Sequence, residues 1–300
     1  MLESHSSPDR EALPVRDEAR LLSAARAGDA RAMERLLAAL AGPAYRFGRG
    51  FCRDHHDAED VMQEVLGALA RGIRRFRGDA TLTSWAYVVA RRVCMRRRRR
   101  RSGEPAHLAS LEGTSDPFGV VGHPADPGAD PLDRLERRQL AAALEGAIAA
   151  LPAGQREVLV MRDVEGLSAR AVGRALRLGE RAVKSRLHRA RLALRRALAP
   201  LLTRQFPQAA SAGRSCPETA LEVSRYLEGE MTPERCAAVA AHVENCPACQ
   251  AECEAVRAVV GACRDWGRNP LSDNLRERVR EAIRRVTRND AAIARDAPRT

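Results

Sequence analysis

Residues 150–198 read ALPAGQREVLVMRDVEGLSARAVGRALRLGERAVKSRLHRARLALRRAL, and this stretch decides the fold. Its apolar residues recur at helical spacing, and its last two helices read as a helix-turn-helix. The pattern predicts a first helix from about Ser168 to Leu176, a turn at Arg177, Leu178 and Gly179, and a second helix from Glu180 to about Leu198. Val183, Leu187, Ala190 and Leu194 share one face of that second helix, which must pack inward. Arg181, Lys184, Ser185, His188 and Arg189 lie off that face near the helix start, with Arg186 among them. Donor-rich side chains in that place are where a recognition helix meets base edges and phosphates. Basic amphipathic helices often do no more than solvate their charges, so the flanking sequence has to decide.

The chain has 300 residues, room for two or three small domains. Its 51 Lys+Arg outweigh 39 Asp+Glu, and the formal charge of +12 points to a polyanionic partner. Aromatic residues make up only 3%, which argues against an extended base-stacking platform for single strands. No apolar run approaches the roughly 20 residues of a membrane span. The N-terminus has no apolar core of the signal-peptide type, so the expectation is a cytoplasmic protein without a membrane partner. Eight cysteines in that compartment argue against a disulfide scaffold, and six of them follow residue 215, which suggests a local metal or thiol site. No glycine-rich phosphate loop, nucleophile elbow or paired catalytic motif is present, so the chain is not expected to be an enzyme.

Residues 1–16 read as a flexible tail and residues 17–101 as a helical domain. Leu21, Leu22 and Ala25 open an amphipathic helix; Gly28-Asp29 ends it, with Asp29 as N-cap of a helix bearing Met33, Leu36, Leu37 and Leu40. Gly42-Pro43 is expected to break that helix. In HHDAEDVMQEVLGALARGIRRF, Asp57, Asp60 and Glu64 fall three and four residues apart on one face with Gln63 beside them, opposite Val61, Val65, Leu66 and Leu69. Phe76, Trp85 and Tyr87 follow, then Arg91, Arg92 and an unbroken run from Arg96 to Arg101, whose mutual repulsion makes sense against phosphates.

These motifs resemble the bacterial RNA polymerase sigma factors of the extracytoplasmic-function (ECF) type. The resemblance implies that Asp57, Asp60, Gln63 and Glu64 grip the coiled coil of the polymerase clamp. It also implies that the segment Phe76–Arg91, with Trp85, Tyr87 and Arg91 followed by Arg92, Arg96 and Arg97, opens and reads the promoter −10 element. The family usually has Asn where this chain has Arg92. Residues 102–131, rich in Pro, Gly and Asp, read as a linker. In the family such a linker joins the two domains. Residues 132–201 resemble the family's second domain through Leu151-Pro152, Arg156–Leu159, Asp163–Ser168 and Val183–Arg191. This implies a −35 reader of double-stranded DNA using Arg181, Lys184, Ser185, Arg186, His188 and Arg189. The departures lie in the turn: Arg177 replaces the usual Gly, Gly179 the usual Ser, and Ala182 the usual Thr.

Residues 202–214 read as a second linker, and residues 215–300 as an extra domain. Cys216 is followed by Tyr226–Met231, YLEGEM, and then by His242-x-x-x-Cys246-x-x-Cys249. His242 and Cys246 are one turn apart on a helix face; Cys246 precedes Pro247 and so caps a new helix, with Cys249 in its first turn. Cys216, His242, Cys246 and Cys249 make a closed Cys₃His set suited to structural Zn²⁺, with another thiophilic metal as the alternative. The pattern resembles the zinc-binding anti-sigma domain, and a helix from about Ser272 to Val286 with Leu275, Val279, Ile283 and Val286 matches that family's final helix, which lies against the sigma domains. Cys236, Cys253 and Cys263 fall outside the ligand set and read as small buried or surface residues, with extra sensing thiols as the alternative.

The expectation is therefore an all-α protein of two sigma domains plus a small zinc-binding helical domain. Its partners are core RNA polymerase and the −10 and −35 elements of promoter DNA, and its C-terminal domain contacts the sigma domains intramolecularly to regulate them in response to a redox or metal signal. The competing reading is a one-component helix-turn-helix regulator carrying a constitutive structural zinc module.

Overall fold

The computed structural model describes residues 15–51, 55–78, 80–101, 131–205, 219–268 and 273–296. The tail before residue 15, most of the first linker, residues 206–214 of the second and Cys216 lie outside them. Every regular element among the described residues is helical. The chain divides into two compact units, residues 1–113 with 270–300, and residues 114–269.

The first unit contains α1 (Val15–Arg26), α2 (Ala30–Phe51), α3 (His55–Gly72), α4 (Leu82–Arg101) and the last helix of the chain, α13 (Asp273–Asp296). Asp29 caps α2 as expected, its Oδ1 accepting from the amides of Arg31 at 2.8 Å and Ala32 at 3.1 Å. Thr81 does the same for α4, accepting from Ser84 N at 3.1 Å, and Glu18 ties the start of that helix to α1 through Leu82 N at 3.0 Å. The core is built from Leu36, Leu37 and Phe47 of α2 against Val61, Met62, Val65, Leu66 and Leu69 of α3, all fully buried. The expected break at Gly42-Pro43 does not occur: α2 runs through Pro43. Leu40, Ala41, Ala44, Tyr45 and Phe47 are buried on either side of it, and that burial outweighs the hydrogen bond proline cannot make.

The second unit contains α5 (Pro131–Ala150), α6 (Ala153–Leu159), α7 (Ala169–Leu176), α8 (Glu180–Ala197), α9 (Ala199–Gln205), α10 (Thr219–Leu227), α11 (Pro233–Asn245) and α12 (Pro247–Arg268). The helix-turn-helix is α7 and α8, with the boundaries the sequence predicts. Ser168 Oγ caps α7 by accepting from Ala171 N at 3.1 Å, and Val183, Leu187, Ala190 and Leu194 of α8 are fully buried. Between α6 and α7 the chain widens into a π-turn at Val160–Val164, with Glu165 N bonded to Val160 O at 3.0 Å. The second linker begins later than expected, since α9 carries the helix through Leu202 to Gln205. The segment expected as one domain, 215–300, is divided: α10–α12 belong to the second unit and α13 to the first. That last helix is longer than the sequence reading, and Leu275, Val279, Ala282 and Ile283 form its buried stripe.

Candidate nucleic-acid interface and metal centre

Helix α8 has three faces. One is the core stripe. A second carries Arg181, Ser185 and Arg189; Arg181 and Arg189 are exposed, and Arg189 Nη2 donates to Ser185 Oγ at 3.0 Å. The third carries Lys184, His188, Arg191 and Arg195, one rung per turn, and each rung meets an acidic residue from α10–α12 or the turn between them. Lys184 Nζ is 3.2 Å from Glu230 Oε1, and His188 Nε2 is 2.8 Å from Glu230 Oε2. His188 Nδ1 lies 2.8 Å from Ser224 Oγ of α10. Arg191 Nη2 is 2.9 Å from Glu228 Oε1, and Arg195 pairs with Glu252 of α12. Arg162 of the π-turn also pairs with Glu228. Of the residues expected to read DNA, His188 is thus buried rather than open, and Arg186 stacks its guanidinium over Gly154 of α6, 3.0 Å from where a Cβ would stand.

Electrostatics follow from these pairs. Burial alone would push the Glu230 carboxyl up, but hydrogen bonds from His188 and Lys184 outweigh it and hold Glu230 below the usual carboxylate value. Arg191 is buried with Asp163, bonded at 2.8 Å from Nε and 2.5 Å from Nη2. Its burial favours the neutral form, yet Asp163 and then Glu228 hold its pKa above the ordinary arginine value.

In the first unit, Asp57 lies on α3, and the face shared by Asp60, Gln63 and Glu64 meets the arginine run of α4. Arg96 Nη2 is 2.5 Å from Glu64 Oε2, Arg97 Nη2 is 2.9 Å from Glu64 Oε1, and Arg97 Nη1 is 3.2 Å from Asp60 Oδ2. Desolvation opposes the Glu64 charge; the two guanidiniums overcome it and keep that carboxyl below its ordinary value. Gln63, Glu64, Trp85, Arg92, Arg96 and Val286 line a groove of about 630 Å³. Trp85 lies against Gly72 and stacks at 32° on Phe76, with ring centroids 5.0 Å apart. Arg91 is half-buried on the same helix. Tyr87 is different: it is buried, edge-on to Phe47 at 5.0 Å, and serves the core instead of the surface expected of it.

At the other end of the second unit, the donor atoms of His242, Cys246 and Cys249 lie within 4.8 Å of one another, with His242 Nε2 3.2 Å from Cys249 Sγ. A tetrahedral zinc ion sets its nitrogen and sulfur ligands about 3.6–3.8 Å apart, so the three present donors fit such an ion. The geometry arises as expected: His242 is on the last turn of α11, Cys246 is the junction, and Pro247 starts α12. Cys253 and Cys263 stand apart from the triad. Cys253 packs with Val223 and Val256, and burial pushes the Cys263 thiol well up. Cys236 is half-buried on α11.

Sequence reasoning missed the acidic rungs. A signal was present: Glu228 and Glu230 in YLEGEM, and basic residues of α8 at 184, 188, 191 and 195, which share a helix face. Nothing in the spacing alone joins segments so distant in the chain.

Comparison with known proteins agrees with this architecture. Residues 34–104 match the family described as Sigma-70 region 2, residues 141–194 that described as Sigma-70, region 4, and residues 216–250 a zinc-finger family. The ECF RNA polymerase sigma factor SigM of Mycobacterium tuberculosis is 34% identical over 188 residues, covering 63% of this chain and 88% of that protein. The ECF RNA polymerase sigma factor SigW of Bacillus subtilis is 30% identical over 149 residues, 49% of this chain and 78% of that one. Among solved structures, CnrH in complex with the cytosolic domain of CnrY is 22% identical with a TM-score of 0.43, covering 61% of this chain and 98% of that one. A helical region 2 and a helix-turn-helix region 4 on one chain define a two-domain promoter-recognition factor. The chain belongs to the ECF RNA polymerase sigma factors, with an anti-sigma-like zinc-finger segment behind region 4.

Proposed function

We propose that this sigma factor is restrained in cis by its own C-terminal segment. Region 2 docks on core RNA polymerase through Asp57, Asp60, Gln63 and Glu64, and Trp85, Arg91, Arg92, Arg96 and Arg97 meet the −10 element. Region 4 meets the −35 duplex through the start of α8, with Arg181, Ser185 and Arg189 on its open face and Lys184 beside them, held by Glu230. The protein works in the cytoplasm, and the chemistry of polymerisation belongs to the polymerase. Among the described residues no helix is long and apolar enough to cross a membrane. Zinc is held by His242, Cys246, Cys249 and Cys216, and oxidation or a competing thiophilic metal releases the restraint.

One observation carries this reading: the chain after residue 218 packs against both sigma regions, α10 and α12 on α8 and α13 on α2 and α3. Tethering gives such contacts a local concentration of order millimolar, so weak contacts suffice. An operator-binding regulator has no use for the Asp60–Glu64 face, and no observation favours that alternative. The test is reconstituted transcription with core polymerase, comparing the full chain with one ended after Arg204, with and without zinc, copper and peroxide, while bound metal is measured. The shortened chain should transcribe more, and the difference should shrink when the full chain loses its metal. Equal transcription under all conditions would falsify the restraint.

A further inference from the structure

The turn after α10 makes an unusual set of bonds. Glu230 spreads one negative charge over two oxygens and gives each to a different basic side chain of α8, Oε1 to Lys184 at 3.2 Å and Oε2 to His188 at 2.8 Å. A DNA phosphodiester offers the same chemistry, one charge over two non-bridging oxygens that accept from basic side chains. The two recipients lie one turn apart near the start of the recognition helix, the part that enters a groove. Gly229, with φ +64°, lets the chain reverse tightly enough for Glu228 and Glu230 both to reach this side of α8. Glu228 has the anchoring role. Its side chain is 3% exposed, and it joins Arg162 and Arg191, the latter already committed to Asp163.

We infer that Glu230 is a phosphate mimic, occupying on Lys184 and His188 the place of a promoter backbone phosphate, with Glu228 as the anchor of the turn that presents it. This rests on the restraint in cis proposed above and gives it a chemical form. The carboxylate and the DNA exclude each other at these two donors, while Arg181 and Arg189 stay outside the contest. DNA that reaches region 4 has to displace the turn.

The test uses the full chain and a random-sequence 30-base-pair duplex, followed by fluorescence anisotropy between about 50 and 200 mM salt, where phosphate contacts show their salt dependence. Glu230→Gln is expected to bind at least fivefold tighter at the low end. Its plot of log affinity against log salt should steepen by about 1, since the freed Lys184 charge adds about 0.9 to the slope. Glu252→Gln, which breaks the Arg195 rung away from the helix start, should change affinity less than twofold. Unchanged affinity and slope in Glu230→Gln overturn the mimicry, and so does an equal gain in Glu252→Gln, which would signal general loosening. A second measurement needs no variant: on the parent chain, saturating duplex should raise amide hydrogen exchange across residues 227–232, and DNA binding with that turn still protected overturns the idea. If ending the chain after Arg204 raises transcription while Glu230→Gln leaves DNA affinity unmoved, the mimicry fails and the restraint stands; if neither changes, both fail.

Discussion

At the scale of single residues, two positions in region 4 set stability in opposite senses. Arg177 closes α7 with φ 56°, ψ 47°, the left-handed conformation that glycine adopts freely and a side chain resists. Arg177 holds this conformation and carries the strain. Arg177→Gly should therefore stabilise the second unit by about 1 kcal/mol, read as a higher denaturation midpoint with the slope unchanged. Arg191 and Asp163 are the reverse case, an ion pair with both side chains 4% exposed. Replacing one partner strands the other charge. Arg191→Met should cost about 3 kcal/mol, while the double change Arg191→Met with Asp163→Leu should recover most of that loss. Chemical denaturation of the three variants gives the coupling directly. A double variant as unstable as the single one would show that the pair's surroundings, and not its stranded charge, set the cost.

At the scale of elements, the sequence was legible where local signals agree with burial. Asp29 and Ser168 announced their helices, and the apolar stripe of α8 fixed which way its basic residues point. The His242–Cys249 spacing likewise foretold a helix end, a junction and a new helix carrying three donors that converge. Pro43 misled because proline's local penalty is fixed while the burial around it is a tertiary quantity, invisible to spacing. Tyr87 misled because it follows Trp85 by two residues, about 200° around the helix, which turns it from the Trp85 side to Phe47. The last helix was recognised from its period, but a period does not name the surface that will cover it. Its stripe of Leu275, Val279, Ala282 and Ile283 lies against α2 and α3. A charge at the middle of that stripe should free it: Ile283→Asp is expected to raise amide exchange along α13 and in the facing residues of α2 and α3, leaving α5–α8 unchanged. Exchange that stays protected in α13 would mean that the stripe does not hold the helix.

For the whole molecule, the candidate metal centre is where the proposed signal would enter the fold. No residue of α11 is fully buried. Val243 is its partial contact with the small core of Val223, Cys253 and Val256. A 13-residue helix with so little packing is marginal by itself, so its order depends on what holds His242 against α12. A metal on His242, Cys246 and Cys249, as proposed, would do that. The same α12 carries Glu252 to Arg195 and closes on Val164 at Gly267, where a Cβ would come within 2.6 Å of Val164 O. Two levels of stability are therefore built into the second unit. On the proposed reading, the region 4 core of Leu144, Val158, Leu159 and Leu187 stands without metal and the finger depends on it. Chelation of the full chain should abolish amide protection in α11 first, then weaken it at the start of α12, while α8 keeps its protection. Circular dichroism should fall by the share of those helices alone, and restoring zinc should recover it. If α11 remains protected after the metal is measured as gone, the finger is held by packing, and a redox or metal signal has no purchase on region 4 through it.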